Sequence, residues 1–202
     1  SSLTNTPKTI YVHAGMSKTG TTSIQKMLTK NQQILSQKGI LYPNAARKNG
    51  IGHHSLAAFI KRGKDSDEAL KLQAEIEECE HSTVIVSTEL LERMSRQKWQ
   101  SLKTFFAPHH VKIIYYLRRQ DDAIVSMYNE LVKKHAVNQD FSTYVETSPR
   151  VDLLDYRATL SVIEDVVGFQ NMSIGIFSKS SLKYGNIGND FIARIHPECA
   201  EL

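Results

Sequence analysis

The sequence predicts an α/β fold of three layers: a central, mainly parallel β-sheet with helices on both faces. Three observations lead there. Short apolar runs alternate with helical patterns along the 202 residues, the signature of a sheet built from β-α-β units. Three of the four clear runs are nearly continuous in apolar residues, as strands buried on both faces are. A glycine-rich loop joins the first run to the first helical pattern. The length suits one domain with a substantial core, taken as residues 1–202 with 1–8 as a flexible tail.

The elements follow in order. "TIYVHA" (residues 9–14) is a short β-rich run leading into the loop. After the loop, Ile24, Met27, Leu28 and Leu35 keep a helical spacing, and Gly39 supplies a C-terminal stop. "GILYP" reads as a brief strand ended by Pro43. A helix with Ala69, Leu72, Ile76 and Cys79 on one face precedes the second clear strand, "TVIVST". "VKIIYYL" (residues 111–117) is the third, followed by a helix from about Asp121 that aligns Ile124, Met127, Tyr128 and Leu131. Another helix carries Leu153, Tyr156, Leu160 and Ile163. The strand "MSIGIF" comes before a short closing helix near Asp190. In such sheets ligands bind at the carboxyl ends of the strands, so the residues just after each strand carry the functional information.

Composition narrows the classes. Hydrophobic residues make up 41% and charged residues 23%, the balance of a folded globular chain. The net charge is +4, which suits an anionic small ligand. No basic run with interleaved aromatics marks a nucleic-acid binder. Cys79 and Cys199 form no metal-binding pattern and read as reduced thiols, which makes a cytoplasmic setting the expectation. No apolar run approaches the ~18 residues of a membrane span. The chain opens Ser1-Ser2 without Met, which leaves room for a removed leader or anchor.

"HAGMSKTGTTS" (residues 13–23) has the two glycines of a phosphate-binding loop, Gly15 and Gly20, at the separation of a Walker A motif. There the lysine directly follows the second glycine; here Thr21 takes that place and the lysine is Lys18. Backbone N–H groups of residues 15–22 can converge on an anion, and the following helix points its positive end at the same spot. Ser17, Thr19, Thr21 and Thr22 add hydroxyl donors. A plain glycine- and threonine-rich turn with a solvated lysine is the alternative. A nucleoside triphosphatase also needs an acidic metal ligand at the end of a neighbouring strand, and "VIVSTE" instead offers Ser87 and Thr88 before Glu89. ATP with magnesium therefore fits poorly.

"YYLRRQDDAIVSMYNE" sets Arg118 and Arg119 at the end of a strand, with Ser126 in the second turn of the next helix. Arginine presents a planar fork of donors matched to phosphate, and a serine hydroxyl adds another. Pairing of the arginines with Asp121, Asp122 or Glu130 is the structural alternative. Two phosphate sites at two strand ends imply a ligand with anionic groups at both ends.

Here a resemblance emerges. "GMSKTGTTS" is similar to the 5′-phosphosulfate loop of the PAPS-dependent sulfotransferases, P-K-[TS]-G-T-[TS]-[SW]-L. "LRRQDDAIVSMYN" resembles their 3′-phosphate motif, R-N-P-x-D-x-x-x-S-x-Y, with Arg118, Asp122, Ser126 and Tyr128 in register. "LLDYRATL" and "SLKYGNIGNDFIARI" look like the weakly patterned second half of bacterial members, so the likeness runs over most of the chain. Ser17 departs from the usual proline, and Arg119-Gln120 from Asn-Pro. The chain reaches Leu202 without the glycine- and basic-rich loop that many members fold over the adenine and 3′-phosphate.

The resemblance implies a fold like that of the P-loop nucleoside triphosphatases and transfer of a sulfuryl group from PAPS, leaving PAP. The donor would be held by Ser17, Lys18, Thr19, Gly20, Thr21, Thr22, Arg118 and Ser126, without a metal. Lys18 would stabilise charge developing on the bridging oxygen. An acceptor hydroxyl or amine also needs a base within reach: Glu89, after the strand "VIVST", ranks first and His54, in "IGHHSLA", second. A carboxylate at a helix start is the plain reading of Glu89. His53 is the less favoured neighbour of His54, and His13 reads as a core or supporting residue. The glutamate that some members place soon after the lysine loop has no counterpart in "GILYPN".

The expected acceptor is a carbohydrate or glycolipid, met by residues 44–80 and 138–158; a lipid-linked acceptor would place the protein at a membrane surface. No nucleic acid or integral membrane segment is expected, and the oligomeric state stays open. Two rivals remain, a P-loop kinase with an altered loop and a non-catalytic binder of PAP-like nucleotides or anionic glycans.

Overall fold

The structure, a computed structural model, describes residues 6–15, 20–47, 50–62, 66–88, 94–118, 122–136, 151–178 and 186–196. The strands are β1 (Thr9–Gly15), β2 (Ile40–Leu41), β3 (Thr83–Thr88), β4 (His110–Arg118) and β5 (Met172–Phe177). The helices are α1 (Thr21–Lys30), α2 (Gln32–Gln37), α3 (His54–Arg62), α4 (Asp67–Glu78) and α5 (Arg96–Phe106). They continue with α6 (Asp122–Ala136), α7 (Val151–Val167) and α8 (Ile187–Ala193). The strands pair in the order β2-β3-β1-β4-β5, and every pairing is parallel.

Alternation along the strands sends side chains to two separate cores. Ile10, Val12 and Ala14 of β1 pack with Val84, Val86, Ile113, Tyr115 and Leu117 against α3, α4, α5, α6 and α7. Their covering residues include Leu56, Leu72, Trp99, Leu102, Ile124, Met127, Leu160 and Ile163. On the opposite face Ile85, Ile114 and Tyr116 meet Ile24 and Leu28 of α1, Leu35 of α2 and Phe191 and Ile192 of α8. Burial on both sides explains the nearly unbroken apolar runs of β3 and β4. The result is the three-layer α/β fold expected from the sequence, with the glycine loop leaving its central strand.

Some boundaries differ from expectation. The single helix expected after the loop is two, broken at Asn31, whose side-chain amide donates to Met27 O at 2.9 Å and so closes α1. Helix α5 was not expected; Ser95 caps it, its hydroxyl accepting from Lys98 N at 3.3 Å. Cys79 ends α4 rather than joining its buried face. Within the flexible tail expected over residues 1–8, of which residues 1–5 lie outside the described ones, Lys8 is held at both ends. Its backbone N–H donates to His109 Nδ1, and its ammonium donates to the carbonyls of Cys79 and His81 at 2.8 Å each.

The connection after β1 runs to the β2-β3 side, whereas β4 is followed by its other neighbour, β5. The chain thus switches direction between β1 and β4. Crevices at such a switch, beyond the carboxyl ends of the strands, are where ligands bind in sheets of this kind.

Candidate active site

Three strand ends meet at this switch. Gly15, the last residue of β1, is in register with Tyr116 of β4, and Ala14 is in register with Thr88 of β3. Arg118 stands two residues beyond Tyr116, so strand geometry puts its Cα about 8 Å from that of Gly15. It is exposed and forms no ion pair with Glu130 or any other side chain among the described residues; Asp121 and the side chain of Asp122 lie outside them. Ser126 is exposed on α6, in the second turn after the Arg118 junction.

Gly20 opens α1 with φ 75°, the left-handed conformation that glycine adopts without strain. A Cβ there would also meet Phe177 Cε2 at 2.8 Å and Ile187 Cγ1 at 3.3 Å. Conformation and space both demand glycine. Thr21 follows with its hydroxyl buried and without a hydrogen-bond partner among the described residues. An orphaned buried hydroxyl costs about 1–3 kcal/mol, and at a helix N-terminus behind a glycine loop a phosphate oxygen is a fitting partner. Thr22 is exposed in the same turn. Ser17, Lys18 and Thr19 lie outside the described residues, as do Glu89, Arg119 and Gln120.

Beneath the loop is a polar layer that sequence reading only touched. His13 is fully buried, and its Nδ1 meets Ser87 Oγ at 2.7 Å. Burial holds its pKa down at about 3, so it is neutral. Its Nε2 has no partner among the described residues. The ring packs edgewise on Phe191 and Tyr116, with centroids 5.2 and 5.9 Å away. Gln25 of α1, also buried, donates to Ser87 O and Oγ at 3.4 and 3.3 Å. A polar residue next to Ile24 on the inward side of α1 was the only sequence signal for it.

His53, the less favoured histidine, has the clearest task. Strand β2 covers β3 only at Thr83 and Val84, leaving the edge of Ser87 open. His53 closes it: its N–H donates to Ser87 O at 2.8 Å, and its Nδ1 accepts from Ser87 N at 3.0 Å. Its Nε2–H donates to Pro43 O at 2.9 Å, which fixes the neutral tautomer. Burial lowers its pKa to about 4, the Pro43 hydrogen bond opposing the shift and Arg47 adding to it. His54 opens α3 immediately afterwards, half-buried beside the carboxyl end of β3. Gly20, at the start of α1, packs against Phe177, which is in register with Arg118; His54 follows the residue that bonds the end of β3, and Ser126 is exposed on α6.

The profile of the sulfotransferase domain matches residues 9–167. The chain belongs to the sulfotransferase family. The match takes in the glycine loop, β3, and the Arg118–Ser126 junction of this sulfotransferase; β5 and α8 lie beyond it. No curated protein matches the sequence. A solved structure described as a fungal RNA kinase aligns with 97% of this chain and 90% of its own at 9% identity, with a TM-score of 0.33. A likeness at that score bears on neither fold nor function. No described helix of the sulfotransferase is long and apolar enough to cross a membrane.

Proposed function

We propose that this sulfotransferase uses PAPS as donor and a hydroxyl or amine of a carbohydrate or glycoconjugate as acceptor. The observation that supports the donor reading is the buried Thr21 hydroxyl, without a partner among the described residues, behind Gly20, which packs against Phe177, itself in register with Arg118. Two donor sets side by side suit a nucleotide with phosphate groups at its 5′ and 3′ positions. The backbone of Gly20, with Ser17, Thr19, Thr21 and Thr22, would hold the 5′-phosphosulfate; Arg118 and Ser126 would hold the 3′-phosphate.

In-line transfer then asks little covalent chemistry of the protein. The acceptor oxygen or nitrogen bonds to sulfur as the bond from sulfur to the bridging oxygen breaks, and the phosphate departs with that electron pair. Lys18 would meet the charge growing on the bridging oxygen. The acceptor proton passes to a base, Glu89 first and His54 second. Supported by its place next to β3, His54 would be steadied by the backbone bonds of His53 to Ser87.

The test is turnover. The protein is incubated with PAPS and a panel of a monosaccharide, a glycolipid and an aromatic alcohol, and PAP release is followed. Release that depends on the sugar-bearing acceptors is expected. PAP binding without release, with every acceptor, would favour a non-catalytic binder.

A further inference from the structure

Helix α8 lies beyond the matched domain segment, yet it is fastened to the sheet by a polar cluster centred on Tyr116, Asp190 and Arg194. Tyr116 OH donates to Asp190 Oδ1 at 2.6 Å, and Arg194 Nε donates to the same oxygen at 2.8 Å. Arg194 Nη1 continues to Ser173 Oγ at 3.0 Å and Ile174 O at 3.2 Å on β5. The guanidinium also lies over the Tyr116 ring, 5.3 Å from its centre. Burial pushes the Tyr116 phenol far above its usual range, Arg194 working against the shift and Asp190 with it. Gly175 makes room for the cluster: a Cβ there would meet Tyr116 Cε1 at 2.6 Å and Arg194 Nη2 at 2.7 Å.

What this fastening places is the wall behind the glycine loop. Ile187, the first residue of α8, and Phe177, the last of β5, supply the nearest side-chain atoms to a Cβ at Gly20 among the described residues. On its other flank α8 meets α1, with the Cβ position of Gly188 3.2 Å from Met27 Cγ. Tyr116 itself is in register with Gly15. A displacement of α8 therefore has to move Ile187 against the glycine at which the loop turns into α1.

We propose that Tyr116, Asp190 and Arg194 are positioning residues of the donor site: they set the height of α8, and through Ile187 the shape of the loop at Gly20. The inference rests on the PAPS reading above. None of the three needs to touch the nucleotide. They act by holding one packed arrangement, the kind of support without which a loop site loosens.

Asp190→Asn leaves Arg194 underpaired in a buried place and risks unfolding, so Tyr116→Phe is the informative variant, since it removes one hydroxyl and keeps the ring. Binding of PAP is measured calorimetrically for wild type, Tyr116→Phe, Ile187→Ala and their double variant. Ile163→Val, a core change in α7 on the other face, serves as a mildly destabilised control. Tyr116→Phe should weaken PAP by about tenfold, within the range of coupling through a packed network. Ile187→Ala should match it, and the double variant should lose little more, because both act through the same contact. The control should bind as wild type does. Unchanged PAP affinity in Tyr116→Phe, with wild type binding normally, overturns the positioning role alone. Equal weakening in the Ile163→Val control also overturns it, because general loosening would then explain the loss. No PAP binding by wild type overturns the donor reading and this inference together.

Discussion

Gly20 is constrained twice, by a φ of 75° and by Phe177 at 2.8 Å from any added Cβ. Gly20→Ala should therefore cost about 1–2 kcal/mol for the left-handed backbone alone, measured by urea unfolding, and should weaken donor binding as Phe177 and Ile187 give way. Lys18→Ala should lose roughly 2–4 kcal/mol of transition-state stabilisation, the scale of one oxyanion donor; full kcat in that variant would remove Lys18 from its role. The buried histidines give a pH prediction. Burial lowers His13 to about 3 and His53 to about 4, whereas in the unfolded chain both titrate near 6.5. Their stabilising contribution is complete above about pH 6.5. As pH falls the unfolded chain takes up protons that the folded one refuses, costing about 1.4 kcal/mol per pH unit for each histidine. The loss runs down to about pH 4 for His53 and about pH 3 for His13. Urea titrations at pH 7, 6 and 5 should show it, with a shallower slope in His13→Gln. A flat profile would contradict the buried, neutral assignment. Sequence reading placed His13 correctly on its strand but had no means of separating His53 from His54. The partner that decides, Ser87, lies 34 residues away.

At the scale of elements, strands were more legible than helices. β1, β3, β4 and β5 follow apolar runs bounded by polar residues, and the structure shifts their ends by no more than a residue. Helix α5 escaped because charged and polar residues crowd it, although Trp99, Leu102 and Phe106 keep a helical spacing and are its buried face. The break at Asn31 was invisible because Leu35 continues the spacing of Leu28 across it. Asp190 and Arg194, four apart on the α8 side, carried a readable ion-pair signal; their link to Tyr116 depends on tertiary packing. Helix α4 offers an element-level test. Ser66 caps it by accepting from Ala69 N at 3.4 Å, so Ser66→Ala should lower stability by about 1 kcal/mol without altering PAP binding. A change in PAP affinity would mean that α4 is tied to the donor site in a way the fold does not indicate.

For the molecule as a whole, function follows from where the strand order reverses. Gly15, Arg118 and Thr88 come from distant parts of the chain, and parallel pairing with β1 at the centre brings them to one edge. The alternation of runs made this arrangement legible, because parallel strands buried on both faces leave little else for the loops to do than meet at the carboxyl ends. The acceptor was not legible, since no motif in residues 44–80 or 138–158 specifies a substrate. On the proposed reading, one switch point binds two phosphate groups of one nucleotide. Calorimetric titration with PAP, beside ATP plus Mg²⁺ and with Arg118→Ala as control, tests it most directly. Micromolar PAP binding without added metal, lost in Arg118→Ala, and little response to ATP are expected. Binding of ATP with Mg²⁺ but not of PAP would contradict that reading.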